Sequence, residues 1–91
     1  MNEASRVVAI KFLEESLPRV REVLWTVPYD SINLNAHEDY RLSEGERIVA
    51  ACCISIWNGA VKVSLEDLIN VLDPKRWSAF LNAMLAARGA D

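Results

Sequence analysis

The stretch Leu42-Ser43-Glu44-Gly45-Glu46-Arg47-Ile48-Val49-Ala50-Ala51-Cys52-Cys53-Ile54-Ser55-Ile56-Trp57-Asn58-Gly59 decides the class of fold. Ser43 and Glu46 stand at the spacing of a capping box. The hydroxyl can accept from the Glu46 amide, and the carboxylate can reach back to the Ser43 amide. Two donors that a helix start leaves without partners are thereby satisfied. Asn58-Gly59 closes the stretch with residues that tolerate the left-handed conformation of a helix end. Between these signals the residues from Ile48 to Trp57 are apolar on nearly every side. A helix of that kind must lie buried in the middle of its domain.

Downstream, Val61-Lys62-Val63 alternates but is too short to found a sheet. Ser64 caps a further helix with Asp67 at its third position, and the apolar face is Leu65, Leu68, Ile69 and Leu72. Asp73-Pro74 starts the last one. Proline suits the first helical position, where its missing amide proton is not needed. The expected inner face is Trp77, Phe80, Leu81, Met84 and Leu85, and Gly89 ends the helix behind Arg88.

Upstream, apolar residues fall at Ile10, Leu13, Leu17, Val20, Leu24 and Val27, at alternating spacings of three and four. That is a helical stripe. Pro18 interrupts it, and proline in a helix interior costs about 3 kcal/mol. The stripe nevertheless keeps phase, which predicts either two helices in near-continuity, ending near Ser16 and restarting at Pro18, or one kinked helix. Residues 28–42 show no sustained period and are rich in turn formers, namely Asp30, Ser31, Asn33 and Asn35. They predict a long loop with at most one helical turn. Trp25, Trp57 and Trp77 fall one to each long helical segment and are expected to meet in the core. The fold class expected is all-α: a compact single-domain bundle of four or five helices spanning residues 1–91.

Composition narrows function by exclusion. Hydrophobic residues make up 52% of the 91 and charged residues 25%, which suits a chain with a real core and not a disordered one. The net charge is −3, and the charge is not segregated: residues 1–41 carry five basic and seven acidic side chains, residues 42–91 five and six. Nothing here attracts nucleic acid or an anionic membrane in a general way. The longest apolar run, Ile48 to Ile54, is too short to span a bilayer. Met1-Asn2-Glu3-Ala4-Ser5 has no basic-then-apolar leader, and the two cysteines are adjacent instead of spaced to staple loops. A cytoplasmic, reduced protein is expected.

No catalytic constellation emerges. His37 is the only histidine and lies in the polar loop, while Cys52 and Cys53 stand among Ile, Val and Ala, where cysteine behaves as a small apolar residue. His37-Glu38-Asp39 are consecutive, and consecutive residues rarely converge on one ion, so no metal site is expected. Three glycines, at 45, 59 and 89, make no phosphate-cradling loop, and no cofactor is expected. The pair of helices from Leu65 to Leu85 raises a helix-turn-helix reading, with Lys75, Arg76, Ser78 and Asn82 on the second helix. Asp73 in the turn, with Glu66 and Asp67 nearby, opposes phosphate, so DNA is the runner-up.

Leu42-Ser43-Glu44, Trp57-Asn58-Gly59-Ala60, Leu65-Glu66-Asp67-Leu68 and Leu72-Asp73 together resemble a pattern in short, uncharacterised helical proteins of bacterial phages and mobile elements. The resemblance covers about a third of the chain, and carries no catalytic residue over. It implies a small acidic inhibitor or regulator, of which anti-CRISPR proteins are one kind, acting by covering a surface of a host nucleic-acid-binding complex.

The function expected is therefore non-enzymatic protein binding. The alternatives are a DNA-binding regulator and a structural subunit of a homo-oligomer such as a homodimer. The partner-binding residues expected are Tyr29, Asp30, Glu38, Asp39 and Tyr40, because loops on a rigid scaffold carry recognition and tyrosine is enriched at interfaces. Far-UV circular dichroism should show a mainly helical protein with little strand; a spectrum dominated by β signal would overturn the fold class.

Overall fold

A computed structural model describes residues 3–89. Among them are five α-helices: α1 (Glu3–Glu14), α2 (Pro18–Leu24), α3 (Glu44–Asn58), α4 (Leu65–Val71) and α5 (Pro74–Ala87). Two short strands, β1 (Trp25–Val27) and β2 (Ser31–Ile32), pair antiparallel between α2 and α3, and a 3₁₀ turn follows at Ala36–Glu38. The helical expectation thus holds in its broad form, and the hairpin departs from a strictly all-α fold.

The capping signals act as read. Ser43 Oγ accepts from the Glu46 amide at 3.2 Å and Glu46 Oε1 accepts from the Ser43 amide at 2.9 Å, completing the box. Ser64 and Asp73 cap α4 and α5 by accepting from the amides of Asp67 and Arg76. Gly59 takes φ of 73° at the end of α3, the left-handed region that glycine enters without a Cβ penalty.

Pro18 separates two helices. Ser16 turns the chain with a positive φ of 69°, Leu17 takes φ of −122° and ψ of 72°, outside the helical region that a following proline disfavours, and Pro18 opens α2. The stripe survives the break because Leu13, Leu17, Val20 and Leu24 still point into one core. It does not reach Val27, which is exposed on β1.

Buried residues form one connected cluster. Helix α3 supplies Val49, Ala50, Cys52, Cys53, Ile54 and Ile56 to it, and α1 packs across both α3 and α5. Ala83 and Ala87 bring α5 close to its neighbours. Leu81 and Leu85, expected inside, are exposed, as are Leu65 and Ile69 of α4. The tryptophans do not form one group. Trp25 and Trp57 meet edge to face with centroids 5.5 Å apart, while Trp77 pairs with Phe80 at the same distance.

One charged side chain lies in this core. Glu14, at the end of α1, is 1% exposed. Its Oε2 accepts from the Trp25 indole N–H at 2.9 Å, and the guanidinium of Arg21 stands 3.8 Å from Oε1 on the solvent side. The contact ties α1 to β1 and so sets where the hairpin leaves the helices. Burial pushes the Glu14 carboxyl above its ordinary 4.5, against the opposing pull of the Trp25 hydrogen bond, Arg21 and Lys11. With the folded pKa raised, the folded chain holds a proton that the unfolded chain has already released. Stability therefore falls as pH rises from 4.5 through the raised value. Glu14→Gln keeps an acceptor for Trp25 and removes the charge, so its melting temperature should be flatter across that window and at least equal to the parent's at neutral pH. Parallel melting curves against pH for the two proteins would refute this. Glu14→Ala, which orphans the buried indole N–H, should lose about 1–3 kcal/mol.

Candidate functional site

The connection from Trp25 to Leu42 carries all five residues singled out for partner binding, and it is an ordered frame instead of a loose loop. The Asp30 amide donates to the Val27 carbonyl at 3.0 Å and closes a β-turn. Pro28 stands at its second position and Tyr29 at its third, with φ of 59°. Proline then positive φ is the pattern of a type II turn, whose third residue is ordinarily glycine. A tyrosine there stores strain of about 1–3 kcal/mol. Its ring is held in return: it packs edge-on against Trp25 at 5.2 Å, and the Lys11 ammonium sits 4.5 Å from the ring centroid.

Asn33 fastens the next part. Its amide donates to the Leu24 carbonyl at 2.7 Å and its side-chain amide donates to the Val23 carbonyl at 3.4 Å. Both are carbonyls that the end of α2 leaves free. Asn33 Oδ1 also accepts from the Asn35 amide, an Asx turn that leads into the 3₁₀ segment. Trp25, Ala36 and Leu42 are the three plugs that seat the connection in the core.

Asp39 and Arg41 lock the final turn. Arg41 donates through Nε and Nη2 to the two carboxylate oxygens of Asp39, at 3.0 and 2.8 Å, and its amide donates to the same carboxylate at 2.9 Å. These hydrogen bonds hold the Asp39 carboxyl down at about 2. Arg47 from α3 donates to the Asp39 carbonyl. The side chain between them, Tyr40, is 85% exposed.

The five residues therefore fall into two groups. Tyr29 and Asp30 occupy the hairpin tip; Glu38, Asp39 and Tyr40 occupy the turn before α3. No hydrogen bond, ion pair or ring contact links the groups among the described residues. Asp39 serves the turn itself, whereas Asp30 and Glu38 are exposed, Glu38 with His37 Nε2 at 3.8 Å. Val27 and Leu34 in the same connection are exposed as well. Sequence reasoning missed these two: it assigned Val27 to the helical stripe and had no period to place Leu34.

The remaining chemistry-bearing residues are sequestered. Burial pushes the Cys52 thiol up to about 12, and burial together with the neighbouring Cys52 and Glu14 raises Cys53 well above its ordinary value. No group of three or more His, Cys, Asp or Glu side chains that could hold a metal ion occurs among the described residues, and none of their helices is long and apolar enough to cross a membrane. Lys75, Ser78 and Asn82 of α5 face solvent beside a cleft of about 390 Å³ that also receives Glu15 and the ring of Phe12. No family model, curated protein or solved structure matches this chain.

The frame around Tyr40 makes a specific prediction. Asp39→Ala removes every side-chain bond that Arg41 and its amide make, so hydrogen exchange at the Arg41 amide should accelerate. The clamp is local to the turn, so the global unfolding transition should stay near the parent's. Unchanged exchange at Arg41 would mean that the turn is held by something other than this clamp.

Proposed function

We propose that this chain is a small, non-enzymatic protein-binding module whose contact surface is the connection between α2 and α3. One observation carries the reading. Val27, Tyr29, Leu34 and Tyr40 are all exposed in that connection, on a backbone closed by its own hydrogen bonds. Aromatic side chains are enriched at interaction surfaces, and a frame ordered before contact avoids the entropy loss of ordering a loop on binding. Tyrosine adds large contact area with a polar tip and few rotatable bonds.

Asp30 and Glu38, exposed in the same connection, favour a partner with basic groups at the contact. Surfaces that hold nucleic acid are of that kind. The burial of both thiols, which keeps them protonated at neutral pH, supports the non-enzymatic part of the reading. The narrower role, an inhibitor covering a host complex, draws its support from the sequence resemblance.

The test uses the whole chain as bait in bacterial lysate, with mass spectrometry of what is retained, and then compares variants against the retained protein. Tyr40→Ala should melt with the parent and lose about tenfold or more in affinity, the effect of removing a central aromatic anchor. Asp30→Lys with Glu38→Lys should weaken binding further and reduce its salt dependence. Full affinity in both variants would remove this surface from the binding site.

A further inference from the structure

We propose that the cleft between α1 and α5 binds a small organic monoanion, a single carboxylate carried on an apolar body. The site is separate from the Tyr40 connection and does not depend on the function proposed for that connection.

The cleft opens where the last turn of α1 passes the first half of α5, and it encloses about 390 Å³. Sites for small molecules commonly run from roughly 300 to 1,000 Å³, with apolar walls and a few polar groups that fix orientation. This one has both. Leu13, Val49, Cys52 and Leu72, all buried, make its floor, and the rings of Phe12 and Phe80 line it as well. The four residues of α5 that suggested a DNA-reading helix in the sequence, Lys75, Arg76, Ser78 and Asn82, all line the same cavity. A recognition helix has to protrude into a groove of the duplex. Here the same side chains border a concavity walled on its far side by α1, which suits a small molecule.

Charge sets the head group. Lys75 and Arg76 bring two positive charges to the cleft and Glu15 brings one negative charge, so one positive charge is left over. A single carboxylate neutralises it. A polyanion would meet Glu15 as a repulsion. Neither cation forms an ion pair with another described residue. Arg76 is half-buried, and its backbone amide bonds to Asp73, yet its guanidinium makes no hydrogen bond to another described residue. The guanidinium presents donors in a planar fork that matches a carboxylate, and Lys75 adds a point charge beside it.

Helical phase sets the orientation. At about 100° per residue, the residues of α5 that line the cleft follow one another around the helix as Ser78, Asn82, Lys75, Ala79, Arg76 and Phe80. The cations thus stand between a neutral polar edge and an apolar one. A carboxylate held by Arg76 and Lys75 directs its apolar body toward Phe80 and the floor, where apolar surface is withdrawn from water.

Titration of the full chain with sodium octanoate, followed by backbone amide NMR, tests the proposal. Saturable shifts should centre on Leu13, Ser16, Arg76, Ala79 and Phe80, with Kd on the order of 1 mM or tighter, the reach of a ligand this small. Octanol, which lacks the charge, and acetate, which lacks the apolar body, should each bind about tenfold more weakly or worse. Arg76→Gln and Lys75→Gln should each weaken octanoate several-fold, and Glu15→Gln should tighten it. Glu66→Gln, on α4 and outside the cleft, should leave it unchanged. None of these four side chains holds a hydrogen bond or ion pair with another described residue, so the variants should melt near the parent, and the Lys75 and Glu15 variants decide the matter if Arg76→Gln does not fold. Absence of saturable shifts overturns the proposal. So do shifts confined to the α4–α5 groove, octanol binding as well as octanoate, or an affinity indifferent to all three cleft variants. Inorganic phosphate or an N-acetylated peptide ending in leucine, binding where octanoate does not, would overturn it in favour of a simple anion site or a chain terminus.

Discussion

Helix α3 presents apolar side chains around nearly its whole circumference, and such a helix is stable in water only when something covers every side of it. That requirement organises the molecule. Helices α1 and α2 cover it along one flank, the 3₁₀ segment with Ala36 closes another, and α4 leans on a third. Helix α5 reaches the core chiefly through α1, with alanines at Ala83 and Ala87 letting the backbones approach. Adjacent Cys52 and Cys53, both buried, fit the same requirement as small apolar groups. The burial that makes them good core residues also raises both thiols, so packing and reactivity are opposed at this position.

The hairpin depends on a costlier contact. A buried carboxylate needs partners, and Glu14 finds one in the Trp25 indole and another at a distance in Arg21. An apolar residue at position 14 would avoid the desolvation cost, but it would leave the indole N–H without an acceptor in the core. The Glu14–Trp25 bond thus selects one arrangement of α1 and β1 over others of similar burial. Specificity of that kind is a known use of buried polar groups. Tyr29 rests on the same tryptophan, so the strained turn at the hairpin tip is supported from the core through two aromatic contacts, Tyr29 on Trp25 and Trp25 on Trp57.

The two exposed surfaces differ in physical type. The α2–α3 connection presents isolated aromatic and apolar groups with acidic neighbours, on a frame held by Asn33 and by the Asp39–Arg41 clamp. The α4–α5 face is a groove with apolar walls, beyond which Leu65, Ile69, Leu81 and Leu85 are exposed. The first is polar and framed by hydrogen bonds; the second is apolar and continuous with the core.

Local signals determined the helices. Ser43 with Glu46, Ser64, Asp73 with Pro74, and Gly59 act within one or two turns of chain, so their spacing in the sequence was enough to place four helix ends. Pro18 told of a break but not of its form, because either a kink or a turn satisfies a missing amide proton. The hairpin was not legible. Trp25 and Val27 fall in helical phase with the residues before them, and only the contacts of Trp25 with Glu14 and Trp57, distant in sequence, turn that segment into a strand. The candidate site was legible only as a stretch without helical period; the exposure of Tyr40 beside buried Ala36 and Leu42 was decided by tertiary packing. Its division between a hairpin tip and a clamped turn came from tertiary contacts. Helices α4 and α5 show the limit most plainly. Their periodicity established apolar faces at Leu65, Ile69, Leu81 and Leu85, but a helical face can meet its own core or another molecule. Periodicity carries no information about which. Only the arrangement of α1, α3 and α5 decided it, by filling the core with the alanines of α5 and leaving those four side chains outside.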